Sequence, residues 1–388
     1  MIFSMLGLLL YNGVMQLVVY PYLNDSMGAG PFGTALYILS VVSIMGSSFG
    51  SGASYSRMVA HSERTEANGD YNRFLLQIFA LSVPVSFVTL MVLTDFEIGL
   101  FVLLFFLMVF SVCRYYADVQ FRMTIRFKEY FLYLVSLTVG NLVGLGIFKL
   151  TGSWIVGIMF GEILALVFVV FTGSIFRKPF LAVSDSYHEN MKSVWTLSIS
   201  NLVSNFILNS DRILIRTLIG ASEVTVFYTA TLIGKMVAMF TSPLNGIIIS
   251  YLTGYKIRLD RKRFSFASLV MFVMAIVITA CSVIVSEFFV RIMYPNVYDM
   301  ARDYFIVANA GQVFYFMSGS LMVIVLKFTK ENMQLIINIC HLVVFALLAV
   351  PGAVIYGLSG LAYGLLAANL FRFVLVVVIG MVQLGKAE

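Results

Sequence analysis

Charged residues are scarce in this chain. Aspartate, glutamate, lysine and arginine make up 11% of its 388 residues, whereas soluble domains carry about 25%. Hydrophobic residues make up 60%, and the mean hydropathy is +0.96. This composition excludes a soluble globular protein. The longest polar segments, near residues 56–73 and 177–193, are too short to fold as independent domains, so we expect any chemistry to take place among helices.

Cysteine is scarce too, and the motifs of common enzymes are missing. Cys113, Cys281 and Cys340 lie in or beside apolar runs and share no close spacing, so they indicate neither a disulfide framework nor a zinc site. The sequence contains no nucleotide-binding P-loop, no HExxH motif and no cluster of carboxylates. We therefore expect no metal site, no cofactor and no enzymatic activity.

The sequence is rich in apolar runs that are long enough to cross a membrane. A spanning helix needs about 20 mostly apolar residues. Twelve such spans lie at approximately 1–23, 34–55, 74–94, 97–117, 130–150, 153–176, 194–218, 223–252, 265–290, 302–326, 333–350 and 357–383. The expected fold class is an all-α polytopic membrane protein.

The lysines and arginines sort by membrane side. If the N-terminus lies inside, eighteen of the 25 fall in cytoplasmic segments: Arg57, Arg64, Arg73, Arg114, Arg122, Arg126, Lys128, Arg177, Lys178, Lys192, Lys256, Arg258, Arg261, Lys262, Arg263, Lys327, Lys330 and Lys386. The positive-inside rule then places both termini of this multi-pass protein in the cytoplasm. The formal charge of +6 therefore indicates contact with the lipid bilayer, and we expect no nucleic acid as a partner.

One span, 194–218, carries charges and a row of amides. A helix turns about 100° per residue, so one face holds five polar side chains: Asn201, Asn205, Asn209, Arg212 and Arg216. Asp211 lies at the edge of that face. Insertion scales assign about 2.5 to 3.5 kcal/mol to a central Asp or Arg in lipid. The stripe is therefore predicted to face protein or water.

Other polar residues also lie within predicted spans. The first span has four of them at i, i+4 spacing: Asn12, Gln16, Tyr20 and Asn24. Glu162 lies about nine residues into its span, where a carboxyl must be paired, protonated or hydrated, and a structural ion pair is one interpretation. Lys235 and Arg372 are further cations within spans.

The two halves of the chain are alike. The motif Gly28-Ala29-x-x-Phe32-Gly33 follows the first span, and Gly220-Ala221-x-x-Val224-Thr225 follows the seventh. Because each half has six spans, the repeats are parallel and are related by an axis along the membrane normal. We predict an N-terminal six-helix bundle over 1–180, a cytoplasmic linker over 181–193 and a C-terminal six-helix bundle over 194–388.

Two segments resemble a known family. DRILIRTLIGASEVTVFYTA, which begins at Asp211, resembles helices seven and eight of polysaccharide flippases of the multidrug/oligosaccharidyl-lipid/polysaccharide exporter superfamily. The residues that match or nearly match are Asp211, Arg212, Gly220, Val224 and Phe227, while Thr225 replaces the usual glycine. YPYLNDSMGAGPFGTALY resembles the first loop of the family through Gly28, Phe32 and Gly33.

This resemblance implies two six-helix lobes, in a V- or N-shaped pair, around a central cavity. It also implies a transporter that flips an undecaprenyl-diphosphate-linked oligosaccharide from the cytoplasmic to the outer leaflet by alternating access. The cargo would be a repeat unit of O-antigen, capsule or another surface polysaccharide, carried across a bacterial plasma or inner membrane. Other polysaccharide assembly proteins are implied partners.

Such a cargo gives the polar residues three roles. Arg212, Lys235 and Arg372 are assigned to the diphosphate, because guanidinium and ammonium groups bind phosphate oxygens. Five amides are assigned to the sugar hydroxyls: Asn12, Gln16, Asn201, Asn205 and Asn209. Asp211 and Glu162 are assigned to balance the basic charges or to carry a coupling proton.

Two alternatives stay open. A cation-coupled multidrug efflux transporter of the same superfamily would use acidic and aromatic residues to hold cations. Three basic residues against two acidic ones within the spans favour an anionic head group instead. An integral-membrane polysaccharide polymerase would need a sizeable extramembrane loop or acid and base residues at an aqueous face, and the sequence has neither.

Overall fold

The computed structural model describes residues 2–93, 96–177, 180–254, 260–326 and 332–384. The side chains of residues 2, 238–254, 332 and 335 lie outside this description. Six basic residues that the sequence assigns to the cytoplasmic side also lie outside the described residues: Lys178, Lys256, Arg258, Lys327, Lys330 and Lys386.

Throughout the described ranges the regular structure is helical. The α-helices are α1 (Ile2–Val14), α2 (Tyr20–Met27), α3 (Ala29–Met45), α4 (Ser51–Glu63), α5 (Asn68–Val92), α6 (Ile98–Met123), α7 (Phe127–Thr151), α8 (Trp154–Thr172), α9 (Tyr187–Leu218), α10 (Ala221–Gly254), α11 (Arg261–Met293), α12 (Tyr298–Arg302), α13 (Phe305–Leu326) and α14 (Asn332–Leu384). π-Helical turns at Met15–Val19 and Gly46–Gly50 connect α1 to α2 and α3 to α4. Gly357, with φ 60° and ψ −140°, divides α14 in two.

These helices confirm the expected fold class. Nine of them, among the residues described, are long and apolar enough to cross a membrane. With α1 and α2 as one rod, α3 and α4 as another, and α14 divided at Gly357, the long helices follow the order of the predicted spans. The chain is a multi-pass all-α membrane protein.

The connections are shorter than the sequence predicts. α2 continues to Met27, the chain turns at Gly28 with φ 81°, and α3 begins at Ala29. Glycine adopts this conformation readily, and Pro31 is tolerated in the first turn of α3 because its missing N–H has no partner there. The predicted polar connection 56–73 is also largely helical. Hydropathy marks only the apolar part of a helix, so it misses polar turns beyond the bilayer.

The chain folds as two compact units. The first consists of Met1–Ser26 and Tyr37–Ser210, and the second of Met27–Leu36 and Asp211–Glu388. The boundary at Ser210 falls within α9, so the segment 181–193 belongs to the first unit.

Side-chain hydrogen bonds hold the segment after α8 on the first unit. Asp70 accepts hydrogen bonds from the Ser184 N–H (2.9 Å), the Ser184 hydroxyl (2.6 Å) and Asn190 Nδ2 (3.0 Å). Asn72 Nδ2 donates to the Phe180 carbonyl at 2.9 Å, and Gln120 Oε1 accepts from the backbone N–H of residues 174 and 175. The segment is therefore an integral part of this unit.

Two glycine contacts position helices in the first unit. A Cβ on Gly50 would lie 2.5 Å from the Val112 carbonyl oxygen, so only glycine allows α6 to pack this closely against the second π turn. A Cβ on Gly144 would lie 2.2 Å from the Gly157 carbonyl oxygen, so α7 and α8 also touch through their backbones. These contacts fix the positions of α6 and α8, which carry Arg114 and Glu162.

In the second unit the two repeated motifs pack against each other. The Thr225 hydroxyl donates to the Ala29 carbonyl at 2.6 Å, and the rings of Phe32 and Tyr228 meet edge to face at 6.2 Å. The apolar core of this unit is built from α11, α13 and α14 and includes Phe264, Phe314, Met317, Leu321 and Phe373. The threonine that departs from the family pattern thus supplies a hydrogen bond between the motifs.

Candidate functional site

The first unit contains a cavity of about 170 Å³. Its walls come from α1 and the π turn after it, from the start of α2, and from α3, α6 and α8. The polar side chains in the wall are Tyr11, Asn12, Gln16, Tyr20, Ser43, Ser111, Arg114, Tyr115 and Glu162. This volume is enough for several water molecules. The cavity is small, polar and rich in hydrogen-bonding groups.

Local backbone geometry helps to form this wall. The π turn at Met15–Val19 departs from regular α-helical geometry within the first rod, and such turns are frequent at functional sites. The turn buries Met15 and Val19, while Gln16 lines the cavity together with Asn12 of the preceding turn. The predicted first polar stripe therefore has two of its amides at one cavity.

An ion pair lies in the wall of the cavity. Arg114 Nε and Glu162 Oε2 are 2.7 Å apart, and the two side chains are only 9% and 7% exposed. The Arg114 guanidinium also lies 3.8 Å from the centre of the Tyr115 ring and 5.9 Å from that of Tyr11. Glu162 is thus neutralised within its own unit by a partner flanked by two aromatic rings.

Arg114 lies further inside its helix than the predicted span implies. The predicted span 97–117 places Arg114 near its end, but α6 continues to Met123, nine residues further along. Arg114 is buried and faces the cavity. Sequence reasoning missed Arg114 as a residue of the candidate site because polar residues beyond it hide the full length of the helix.

The amides of α9 do not line this cavity. Asn205 Nδ2 donates to the Ser48 hydroxyl of the second π turn at 3.2 Å, and Asn209 Nδ2 donates to the Asn205 carbonyl at 2.9 Å. Asn201 is half-buried on the same helix. The structure therefore groups the five predicted sugar-binding amides into two sets, with Asn12 and Gln16 in one and the α9 amides in the other.

The second unit contains a charged cluster at the end of α9. Asp211 Oδ2 lies 2.6 Å from Lys235 Nζ on α10, and Asp211 Oδ1 accepts the Arg212 backbone N–H at 2.9 Å. The Arg212 guanidinium lies 5.0 Å from the centre of the Tyr228 ring. Asp211 therefore forms its ion pair with Lys235. Arg212, the residue after Asp211, stacks on the Tyr228 ring. The cluster combines one negative and two positive charges.

Arg372 lies in a separate polar cluster between α13 and α14. Its guanidinium is buried, lies 4.2 Å from the centre of the Tyr315 ring and donates to the Tyr315 carbonyl at 3.3 Å and to Asn338 Oδ1 at 3.4 Å. His341 Nε2 and Asn369 Oδ1 are 2.9 Å apart in the same cluster. Among the side chains that the structure describes, no carboxylate forms an ion pair with Arg372.

Comparisons with known proteins give the fold. No family model matches this sequence, and no curated protein matches it. Among solved structures, an inward-facing multidrug resistance MATE family transporter of the MOP superfamily aligns with a TM-score of 0.66 and 14% identity, over 97% of this chain and 94% of that one. The lipid II flippase MurJ, in an inward closed conformation, aligns with a TM-score of 0.67 and 14% identity, over 92% of this chain and 84% of that one.

A third similar structure is the Vibrio cholerae MATE transporter VcmN in its bent form, with a TM-score of 0.61 and 12% identity, over 99% of this chain and 95% of that one. The matches extend over nearly the whole of each chain at low identity. The protein therefore has the fold of these MOP-type transporters, with two helical bundles along one chain.

Proposed function

We propose that this protein is a transporter that flips an undecaprenyl-diphosphate-linked oligosaccharide from the cytoplasmic to the outer leaflet of a bacterial inner membrane. It works by alternating access and serves the assembly of a surface polysaccharide such as O-antigen or capsule. The observation that carries this proposal is the pairing of both deep carboxylates, Glu162 and Asp211, with basic side chains at 2.7 and 2.6 Å.

This pairing disfavours a cation as cargo. A carboxylate that binds a cationic drug must be available to it, whereas Glu162 and Asp211 are each already neutralised within their own unit. Arg212 and Arg372 then add two positive charges to the second unit. Guanidinium groups recognise phosphate oxygens well, so this excess suits a diphosphate head group.

The cavity of the first unit suits one part of a sugar chain. Its volume of about 170 Å³ is below the lower limit of about 300 Å³ for pockets that enclose drug-sized ligands. Amide, hydroxyl and phenol groups line it, and these can donate and accept hydrogen bonds with sugar hydroxyls. Asn12 and Gln16 are the amides that we assign to this contact.

The membrane potential supplies a driving force for such a cargo. The lipid tail stays in the bilayer, so only the head group has to cross a hydrocarbon core of about 30 Å. One charge that moves through 100 mV gains about 2.3 kcal/mol, so two negative charges that leave a negative interior gain about 4.6 kcal/mol. Outward transport is therefore favourable without a coupled ion.

The similarity to MATE transporters supports a second candidate, multidrug efflux. The TM-scores of 0.66 and 0.67 do not separate a MATE transporter from the lipid II flippase. The candidates differ in the cargo that accumulates when the protein is absent. A flippase deletion leaves lipid-linked oligosaccharide on the cytoplasmic side, whereas an efflux deletion raises sensitivity to cationic dyes.

The test uses a strain in which the gene is deleted and variants are returned at equal protein level. We expect the deletion to accumulate lipid-linked oligosaccharide and to lose surface polysaccharide, with unchanged dye sensitivity. Arg212→Ala and Lys235→Ala should each restore little surface polysaccharide, while Lys149→Ala, an exposed basic residue at the end of α7, should restore it fully. Dye sensitivity with normal surface glycans would favour the efflux transporter.

A further inference from the structure

The second unit buries an arginine that has no carboxylate partner among the described residues. The buried arginines of the described part of the chain are Arg57, Arg114 and Arg372. The first two lie 2.5 and 2.7 Å from glutamates, Glu66 and Glu162. Arg372 is only 3% exposed, and no carboxylate within the described ranges pairs with it. A buried charge without a counter-charge is costly, so Arg372 requires a partner of another kind.

The neutral groups around Arg372 satisfy only part of its guanidinium. Two of its nitrogens donate over long distances, to the Tyr315 carbonyl at 3.3 Å and to Asn338 Oδ1 at 3.4 Å. The third nitrogen, Nε, is buried and has no hydrogen-bond partner in the part of the chain that the structure describes. The Tyr315 ring, whose centre lies 4.2 Å from the guanidinium, offers its face but no full negative charge. Both the charge and the Nε–H group are therefore unmatched.

A second unpartnered nitrogen belongs to the same cluster. Asn369 Nδ2 donates to the Gly311 carbonyl at 2.9 Å, which directs Asn369 Oδ1 towards His341 Nε2, also at 2.9 Å. Nε2 therefore carries a hydrogen. His341 Nδ1 is buried and has no partner among the described side chains, and the His341 ring lies 5.8 Å from the Tyr315 ring on which Arg372 stacks. Nδ1 can donate as well when it is protonated, so a negatively charged ligand suits both nitrogens.

The surroundings restrict the size of this ligand. Arg372 and His341 are 3% and 1% exposed, and the residues next to Tyr315 and Arg372 in sequence, Phe314 and Phe373, belong to the apolar core of the unit. Entry into such a place requires an anion to lose its water, and this cost rises with charge. A small monovalent anion is therefore favoured over a phosphate with two charges.

We propose that Arg372 binds one chloride ion between α13 and α14. The ion accepts the Nε–H group and supplies the negative charge that the described residues around Arg372 lack. It belongs to this arrangement of α13 and α14 and does not depend on the cargo, so it would be present in a flippase and in an efflux transporter alike.

The test is equilibrium binding of radioactive chloride to the purified full chain in detergent, with gluconate as the replacement anion. We expect saturable binding of one chloride per chain. Arg372→Gln removes the charge of the site and should abolish this binding. Arg263→Gln removes one positive charge from a side chain of the same unit that is 69% exposed, so chloride should bind as in the native protein.

A second variant tests the site while Arg372 stays in place. Asn338 Oδ1 already lies 3.4 Å from the Arg372 guanidinium, so Asn338→Asp puts a carboxylate of the same shape beside it. This counter-charge should abolish chloride binding. A ligand that binds the folded state raises its thermal stability, so chloride should raise the temperature of half-denaturation of the native protein but not that of Asn338→Asp. This variant decides the question even where Arg372→Gln fails to fold.

Four results overturn the proposal. They are the absence of saturable chloride binding by the native protein, its persistence in Arg372→Gln, its persistence in Asn338→Asp, and an equal loss in Arg263→Gln. Because the measurement involves no cargo, such a result leaves the flippase function standing. A deletion strain without lipid-linked oligosaccharide, in turn, refutes the flippase function and leaves the chloride site intact.

Discussion

An Arg114→Met substitution leaves the Glu162 carboxylate buried without its ion partner. Loss of one partner of a buried ion pair costs about 3–5 kcal/mol, whereas replacement of both partners by apolar residues of similar volume is often neutral. The native side chains are 9% and 7% exposed, so this pair belongs to the buried class. We expect Arg114→Met and Glu162→Leu to destabilise the protein separately and the double variant to recover most of the loss.

The assay is the temperature of half-denaturation of the purified protein in detergent. The matched control is the surface pair of Arg64 and Glu189, which are 3.8 Å apart and 22% and 69% exposed. Substitutions there should cost less than about 1 kcal/mol. If the double variant of Arg114 and Glu162 loses as much stability as the two single variants together, the coupling between the two residues is refuted.

The same pair decides whether Glu162 carries a proton. Because Arg114 already neutralises the carboxylate, we expect Glu162→Gln to keep the pH profile of export seen in the native protein, although it lowers stability. Surface polysaccharide measured at several pH values around neutrality, at equal protein level, provides the comparison. A profile that is flat in the variant and steep in the native protein would assign a coupling proton to Glu162.

Three further predictions concern other parts of the structure. Lys235→Met leaves Asp211 as a buried carboxylate without its ion partner, so we expect reduced export and new binding of ethidium, measured by fluorescence of the purified protein. Gly46→Leu places a side chain where even a Cβ would lie 2.5 Å from a side-chain oxygen of α6, so the monodisperse fraction in size-exclusion chromatography should fall. Asp70→Asn weakens the hydrogen bonds that hold the segment 173–190. We therefore expect the free energy of unfolding to fall by about 2 kcal/mol and trypsin to cleave this segment faster.

Each of these three has a matched control. Asp211→Asn together with Lys235→Met should abolish ethidium binding, and persistence of binding would show that another group holds the dye. Gly30→Leu should be tolerated, because a Cβ there meets nothing within 4 Å. Asp185→Asn changes an exposed carboxylate in the same segment and should leave trypsin cleavage unchanged. An equal effect in Asp70→Asn and Asp185→Asn would contradict the role of Asp70.

Hydropathy predicts the helices of this fold well, because each spanning helix has to be apolar and to satisfy its own backbone. It predicts their ends poorly. The polar turns of α4 up to Glu63 and of α6 up to Met123 lack the apolar signal, so the predicted span ends three residues after Arg114, whereas α6 continues for nine. The fold class could be read from the sequence, whereas the depth of a charged residue could not.

The candidate site could be predicted only in part. The position of Glu162 indicated a buried carboxyl, but its partner lies 48 residues earlier, and no local pattern connects the two. The π turn at Met15–Val19 arises from backbone hydrogen bonding and leaves no distinctive residue pattern. Asp70 and Ser184 are 114 residues apart, so their hydrogen bonds depend on the folded helices.

Translocation of a defined cargo by the purified protein in liposomes tests the flippase function most directly. The cargo is a fluorescently labelled undecaprenyl-diphosphate-linked oligosaccharide, and its arrival in the opposite leaflet is followed with a membrane-impermeant quencher. If the protein is a flippase for this cargo, quencher-detected flipping should be faster than in protein-free liposomes, and ethidium should not be transported. Ethidium transport without accelerated flipping of the lipid-linked sugar would contradict the flippase function.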